Sequence, residues 1–306
     1  MSSASQIEKT SIAFKADDGT VLRGWIYRPA VPAGTKSPVV LLHHGFSAVK
    51  ESFLVDYAQV FAEAGFIVLG YDPRGLGESG GRVPLEIDPM FQVSDFRDAV
   101  TFAMSLPGVD TARIGAWGSS YGGGVAIQAA ALDKRITCVA VQVPFLSGGT
   151  IWSHIPPEAQ QQLSALFAHE RVQRATGQPV QIIPVVTANP ERGELCVLAT
   201  RESYEWSMEK AAKAPNWRNE VTLRSLELTF SFEPASYIHQ IAPRPLLVVG
   251  AEGDTLMPIE GTRAVFDRAG EPKRFVNIPC GHFGPYDDCF EQSSGAARDW
   301  FVEHLG

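Results

Sequence analysis

The stretch that most limits what this chain can become runs from Arg113 to Val125, Arg-Ile-Gly-Ala-Trp-Gly-Ser-Ser-Tyr-Gly-Gly-Gly-Val. Ile114 to Trp117 is a short apolar run that reads as a buried strand. From Gly122 onward, Val125, Ala126, Ile127, Ala129 and Ala130 read as a helix of small residues. Between them lies Gly118-Ser119-Ser120-Tyr121-Gly122, a G-x-S-x-G pattern at a strand-to-helix turn. Such a turn crowds the central residue against the positions two before and two after it, so only small residues fit there. Gly118 and Gly122 occupy those places when Ser120 is central. Centring the motif on Ser119 would put Trp117 and Tyr121 in them. Ser120 is therefore the candidate nucleophile.

The surrounding chain repeats the strand-then-helix rhythm. Ile12 to Ala16 and Val21 to Tyr27 flank Asp17-Asp18-Gly19-Thr20 as an antiparallel hairpin. Pro38 to His43 is an apolar strand of the kind buried on both faces. Phe53 to Ala64 carries Leu54, Tyr57, Ala58 and Phe61 at helical spacing. A strand at Phe66 to Gly70, an amphipathic helix at Gln92 to Ser105, the elbow with its helix, and a strand from Ile136 to Val143 follow. After Pro144 the alternation stops, and it resumes with Pro245 to Gly250, Pro258 to Ala269, Lys273 to Ile278 and Phe290 to Leu305. The expected fold is α/β, a mostly parallel, doubly wound sheet. Residues 1–144 and 235–306 form its core, with a largely helical cap, residues 145–234, inserted after the sixth strand. Trp152, Phe167, Tyr204, Trp206 and Trp217 make that insertion too aromatic for a disordered linker.

Composition excludes several classes of partner. A net charge of −8 offers no basic face to nucleic acid or anionic lipid. No apolar run approaches the ~20 residues of a membrane span, and residues 1–20 lack the apolar core of a secretory signal. A cytoplasmic location is expected. The four cysteines, Cys138, Cys196, Cys280 and Cys289, show no C-x-x-C spacing and are expected to be reduced. His43 and His44 are adjacent on a strand and would point to opposite faces, a poor metal pair. Neither metal nor cofactor is expected, and a small-molecule acyl substrate is the expected partner, with room for a homodimer.

A serine nucleophile needs a base and a group that orients the base. Open α/β sheets place such groups just beyond the carboxyl ends of strands. Asp254 follows Leu246-Leu247-Val248-Val249, and His282 follows Phe275-Val276-Asn277-Ile278. Glu252, Asp287 and Asp288 lie nearby as competing acids. Lys50 and Glu51 are read as flanking a helix, and Asp72 and Arg74 as pinning their loop.

The order Ser120, Asp254, His282 resembles the α/β-hydrolase superfamily. Within it the chain is similar to the group joining dienelactone-hydrolase-like and Xaa-Pro-dipeptidyl-peptidase-like proteins, through His43-His44-Gly45-Phe46, Tyr71-Asp72-Pro73-Arg74-Gly75-Leu76-Gly77-Glu78-Ser79 and Gly118 to Gly123. The cap stretch Trp217 to Ser225 resembles a subgroup that includes fungal polyketide transferases. The resemblance implies an acyl-enzyme on Ser120, His282 as base and Asp254 as its orienting acid. It also implies backbone N–H donors at Phe46 and Tyr121 for the oxyanion. Ester or thioester hydrolysis is the leading expectation, with acyl transfer to an alcohol or amine as the alternative. A dipeptidyl-peptidase-like amidase and a non-catalytic binding protein stand lower. Trp152, Phe145 and Phe283 are the expected pocket residues.

Overall fold

A computed structural model describes residues 7–32 and 34–306. Strands β1 (Glu8–Lys15) and β2 (Val21–Arg28) pair antiparallel, with Lys15 opposite Val21 across the turn. Gly19 in that turn takes φ +84°, the left-handed region a glycine enters without strain. The remaining strands are β3 (Ser37–His43), β4 (Ile67–Tyr71), β5 (Val109–Ser119), β6 (Cys138–Gln142), β9 (Leu246–Ala251) and β10 (Lys273–Ile278). They join the hairpin in one eight-stranded sheet of order β1-β2-β4-β3-β5-β6-β9-β10, parallel from β4 to β10. The turns and loops that follow β3, β5, β9 and β10 therefore open at the same edge of the sheet.

Every residue of β3, β4, β6 and β9 is buried, which is why these strands are continuously apolar rather than alternating. Neighbouring residues serve opposite faces. Val39 and Leu41 join the core beneath α2 (Pro89–Ser105) and α3 (Tyr121–Leu132), while Val40 and Leu42 join that beneath α1 (Leu54–Glu63) and α9 (Phe290–Leu305). Asp88 caps α2, its side chain accepting from the Met90 and Phe91 N–H groups at 3.0 and 3.3 Å, so the helix begins three residues before Gln92. Helix α8 (Ile259–Asp267) follows β9.

Between β6 and β9 the chain forms α4 (Gly148–His154), α5 (Pro157–Ala175), β7 (Ile182–Ile183), α6 (Arg201–Ala211), β8 (Val221–Thr222) and α7 (Leu223–Phe230). The stretch from Trp217 to Phe232 is divided between a short strand and a helix. Its β-branched pair Val221-Thr222 pairs with Ile182-Ile183, and the Thr222 hydroxyl then caps α7 at the Ser225 N–H.

At the elbow, α3 starts so close to the sheet that a side chain on either flanking glycine would strike backbone. A Cβ on Gly118 would overlap the Gly122 carbonyl, and one on Gly122 would overlap the carbonyls of His43 and His44. His43 and His44 lie in this packed region, fully buried. Each ring Nδ1 faces a backbone carbonyl, that of His44 at 3.0 Å and that of Gly45 at 2.9 Å. A carbonyl only accepts, so Nδ1 carries the proton in both rings. Burial is the main cause that lowers the His43 pKa to about 3, helped by the neighbouring His44, and burial likewise lowers His44 to about 4.

The loop reading of Asp72 and Arg74 agrees with their contacts. Arg74 bonds Asp95 at 2.5 and 2.7 Å and Asp18 at 2.8 Å. Lys50, read only as flanking a helix, does more than that. Its buried ammonium contacts Asp72 at 2.7 Å, Glu78 at 2.6 Å and Glu51 at 2.7 Å, and its N–H donates to Asp72 at 2.8 Å. Burial pushes this ammonium pKa down, but the hydrogen bonds to the three carboxylates outweigh it and the net shift is upward.

Two outcomes follow. Gly118→Ala should lower stability by about 2 kcal/mol or more through overpacking against backbone, read as a lower urea midpoint; an unchanged midpoint would contradict the close approach. Both histidines have folded pKa values below the unfolded value of about 6.5. Their contribution is therefore complete above that pH and is lost as pH falls from about 6.5 towards 4, because only the unfolded chain takes up the protons. His43→Asn should flatten the slope of unfolding free energy against pH across that window by about 1.4 kcal/mol per pH unit. Parallel slopes in variant and wild type would refute it.

Candidate active site

Ser120 sits between β5 and α3 with φ +54° and ψ −125°, a strained backbone for a side chain with a Cβ. Its N–H donates to the Gln142 carbonyl at 3.0 Å, and its carbonyl accepts from Gly123 at 2.9 Å and Phe145 at 2.8 Å. These bonds from β6, the segment after it and α3 hold the turn. Ser119 and Ser120 then diverge. The Ser119 hydroxyl is buried and meets the Tyr286 hydroxyl at 2.6 Å. Ser120 Oγ lies 3.0 Å from His282 Nε2.

His282 Nδ1 lies 2.8 Å from Asp254 Oδ2. The other carboxylate oxygen of Asp254 accepts from the Leu256 and Met257 N–H groups at 2.9 and 2.7 Å. This turn after β9 fixes the carboxylate plane, and acceptance by Oδ2 places the proton of a neutral imidazole on Nδ1, leaving the Nε2 lone pair facing Ser120. Both partners are buried. The rival acids lie elsewhere: Glu252 accepts from Asn277 at 3.1 Å, Asp287 is engaged by Trp206 and Lys210, and Asp288 is exposed.

Tyr121 is the first residue of α3, and neither its N–H nor that of Phe46, the two expected backbone donors, has an acceptor among the described residues. The Gly45-Phe46 turn comes against the elbow, since a Cβ on Gly45 would lie 3.4 Å from Ser120 Cβ. The Phe46 ring packs edge-on against Tyr121 with centroids 5.4 Å apart. A helix N-terminus carries partial positive charge, so the Tyr121 donor suits a developing oxyanion.

Ser120 and His282 open into a narrow cleft. Its walls are largely apolar, with Phe46, Phe53 and Phe283 from the sheet side and Val185, Leu198, Trp206 and Trp217 from the segment between β6 and β9. Leu256 and Met257, the donors to Asp254, also reach it. Among its described lining residues none is a carboxylate, and Lys210 is the one lysine or arginine.

Of the three expected pocket residues, Phe283 lines this cleft, whereas Phe145 and Trp152 do not. Phe145 is buried behind the elbow, stacked on Phe232 at 5.8 Å and packed on Tyr121 at 5.9 Å. Trp152, carried by α4, meets Phe230 at 4.9 Å and lines a separate surface cavity with Phe167. The close approach of α4 to α7, where a Cβ on Gly148 would overlap the Thr229 carbonyl, turns that tryptophan away. Trp206, Trp217 and Lys210 take the wall instead. The tryptophans were visible in sequence, but whether Trp206 and Lys210 face the cleft depends on how α6 docks, and Trp217 lies in the irregular stretch after that helix. His154 and His169 are exposed.

Comparison with known proteins is consistent with this architecture. The chain is 34% identical over 270 residues to a thiohydrolase of Eupenicillium brefeldianum, covering 87% of this chain and 84% of that protein. It is 30% identical over 270 residues to a polyketide transferase of Penicillium sp, covering 88% and 87%. The crystal structure of an alpha/beta hydrolase from Penicillium sp. sh18 superposes with a TM-score of 0.83 at 27% identity, covering 97% of this chain and 99% of that one. The family model for X-Pro dipeptidyl-peptidase (S15 family) matches residues 18–284. With its mostly parallel sheet and flanking helices, the chain has the α/β-hydrolase fold and belongs to the X-Pro dipeptidyl-peptidase (S15) family.

Proposed function

We propose that the protein is a serine hydrolase that cleaves a carboxylic ester or thioester through an acyl-enzyme on Ser120. The observation that carries this reading is the hydrogen-bonded line from Ser120 Oγ through His282 to the buried Asp254 carboxylate. His282 Nε2 takes the Ser120 proton as Oγ attacks the acyl carbonyl. The imidazolium that forms is stabilised by Asp254 and then protonates the leaving alkoxide or thiolate. The Tyr121 and Phe46 N–H groups receive the oxyanion, each donor contributing about 3–4 kcal/mol to the transition state. Water, deprotonated by the same histidine, releases the acid and restores Ser120.

The cleft supports an apolar acyl group. Its walls supply aromatic and aliphatic surface, and burial of such surface contributes about 25 cal/mol per Å². The lack of a carboxylate among its described lining residues argues against recognition of a peptide's cationic amino terminus. That favours ester or thioester over dipeptide release, although the family model carries the latter name.

Acyl transfer is the second reading, favoured by likeness to a protein named polyketide transferase. It uses the same acyl-enzyme and differs in whether an alcohol or amine replaces water.

Ser120→Ala should reduce turnover of a p-nitrophenyl ester by about 10⁴-fold or more, measured with the wild-type fold verified by circular dichroism; activity within tenfold of wild type would sink the acyl-enzyme. Product analysis with an added alcohol separates the two readings. Hydrolysis predicts free acid as the main product at every alcohol concentration, whereas a new ester as the main product would replace it with transfer.

A further inference from the structure

Asp287 follows His282 by five residues and takes no part in the hydrogen-bonded line to Ser120. Its carboxylate turns instead to α6. One oxygen accepts from Trp206 Nε1–H at 3.1 Å, and the other pairs with Lys210 Nζ. The Lys210 side chain is buried, and its second acidic partner, Glu209 on the same helix, is farther away at 3.2 Å. The Trp206 ring stacks on Phe283, the residue after His282, at 4.7 Å with 26° between planes, and also meets Tyr286 at 5.1 Å. On the preceding side of the histidine, Glu202 of α6 lies so near Gly281 that a Cβ there would come within 2.9 Å of its carboxylate. Helix α6 thus touches the histidine loop on both sides of His282. The same helix supplies Trp206, Ser207, Lys210 and Ala211 to the cleft wall.

We propose that Asp287 is a positioning residue that latches α6 to the histidine loop and so sets the width of the cleft above Ser120, selecting the acyl group. This rests on the acyl-enzyme reading. Three physical points converge on it. The two donors, four residues apart on α6, lie on one helix face and are captured by one carboxylate. A charge-assisted bond to a buried ammonium is stronger than a neutral one. And the other contacts described between α6 and the histidine loop are the packing of Trp206 on Phe283 and Tyr286 and the approach of Glu202 to Gly281, none of which is charge-assisted.

The test combines hydrogen exchange with ester selectivity in Asp287→Ala and Asp287→Glu. Amide exchange in residues 201–211 should rise about 10-fold in Asp287→Ala, the loss expected for one charge-assisted bond. It should stay near wild type in Asp287→Glu, which retains the carboxylate. For p-nitrophenyl octanoate, kcat/KM should fall about 10-fold in Asp287→Ala, mainly through KM, while kcat for p-nitrophenyl acetate stays within about threefold because its acyl group does not reach the wall. Unchanged exchange in α6, or an equal fall for both esters carried by kcat, would overturn the latch. If the wild type turned over neither ester, the acyl-enzyme reading would fail, and the exchange comparison would still decide the contact. Should Asp287→Ala not fold, Trp206→Phe removes the N–H donor and keeps the ring stack. It should raise exchange in α6 about threefold, and no rise would overturn the proposal.

Discussion

Everything at the site depends on one strained backbone position. Ser120 holds a positive φ at a cost of about 1–3 kcal/mol, and it does so because the surroundings leave no relaxed alternative. Strand β6 takes its N–H, Phe145 and Gly123 take its carbonyl, and Gly118 and Gly122 let α3 come down onto the ends of β3 and β5. The strain is compensated by packing that is spread over two strands and a helix. What it produces is local: Oγ faces His282, and the Tyr121 N–H at the start of α3 is left without a partner among the described residues.

A second constraint holds the Phe46 N–H. The loop after β3 passes through Gly45 and Phe46 and ends at Lys50, whose buried ammonium and backbone N–H are both bound by Asp72 in the loop after β4. Removing the Lys50 ammonium would leave the buried Asp72 carboxylate without its counter-charge, at a cost of about 3–5 kcal/mol. The pair therefore ties two neighbouring loops at the same edge of the sheet, and Phe46 is presented from a tethered loop. The elbow and this ion pair share no side chain.

The relatives separate chemistry from selection. A thiohydrolase and a polyketide transferase both resemble this chain over most of its length, and acyl chemistry common to both would need only the elbow, the histidine and the two backbone N–H groups. Under the proposed function, choice of acyl group and acceptor would fall to the cleft wall, much of which comes from the segment between β6 and β9, with α6 packed through Trp206 on Phe283 beside His282.

The chain's own pattern was enough for the α/β layering and for the placing of Ser120, His282 and Asp254 after strand ends. Continuous apolar strands can be buried only between two helical layers, and the crowding at Gly118 and Gly122 leaves a single frame for the serine. Local sterics and burial decide both, so they are written in neighbouring residues. Asp254 was chosen on its place after a strand end and on the resemblance, with Glu252, Asp287 and Asp288 as rivals nearby; the tertiary structure adds the turn after β9 that aims its carboxylate at Nδ1. The cleft wall was the least legible. Phe145 and Trp152 are as aromatic as Trp206 and Trp217, and which of them faces Ser120 depends on how α4, α6 and α7 dock. Docking angle is set by contacts between segments distant in the chain, such as Gly148 against Thr229 and Trp206 against Phe283, and no local pattern encodes it.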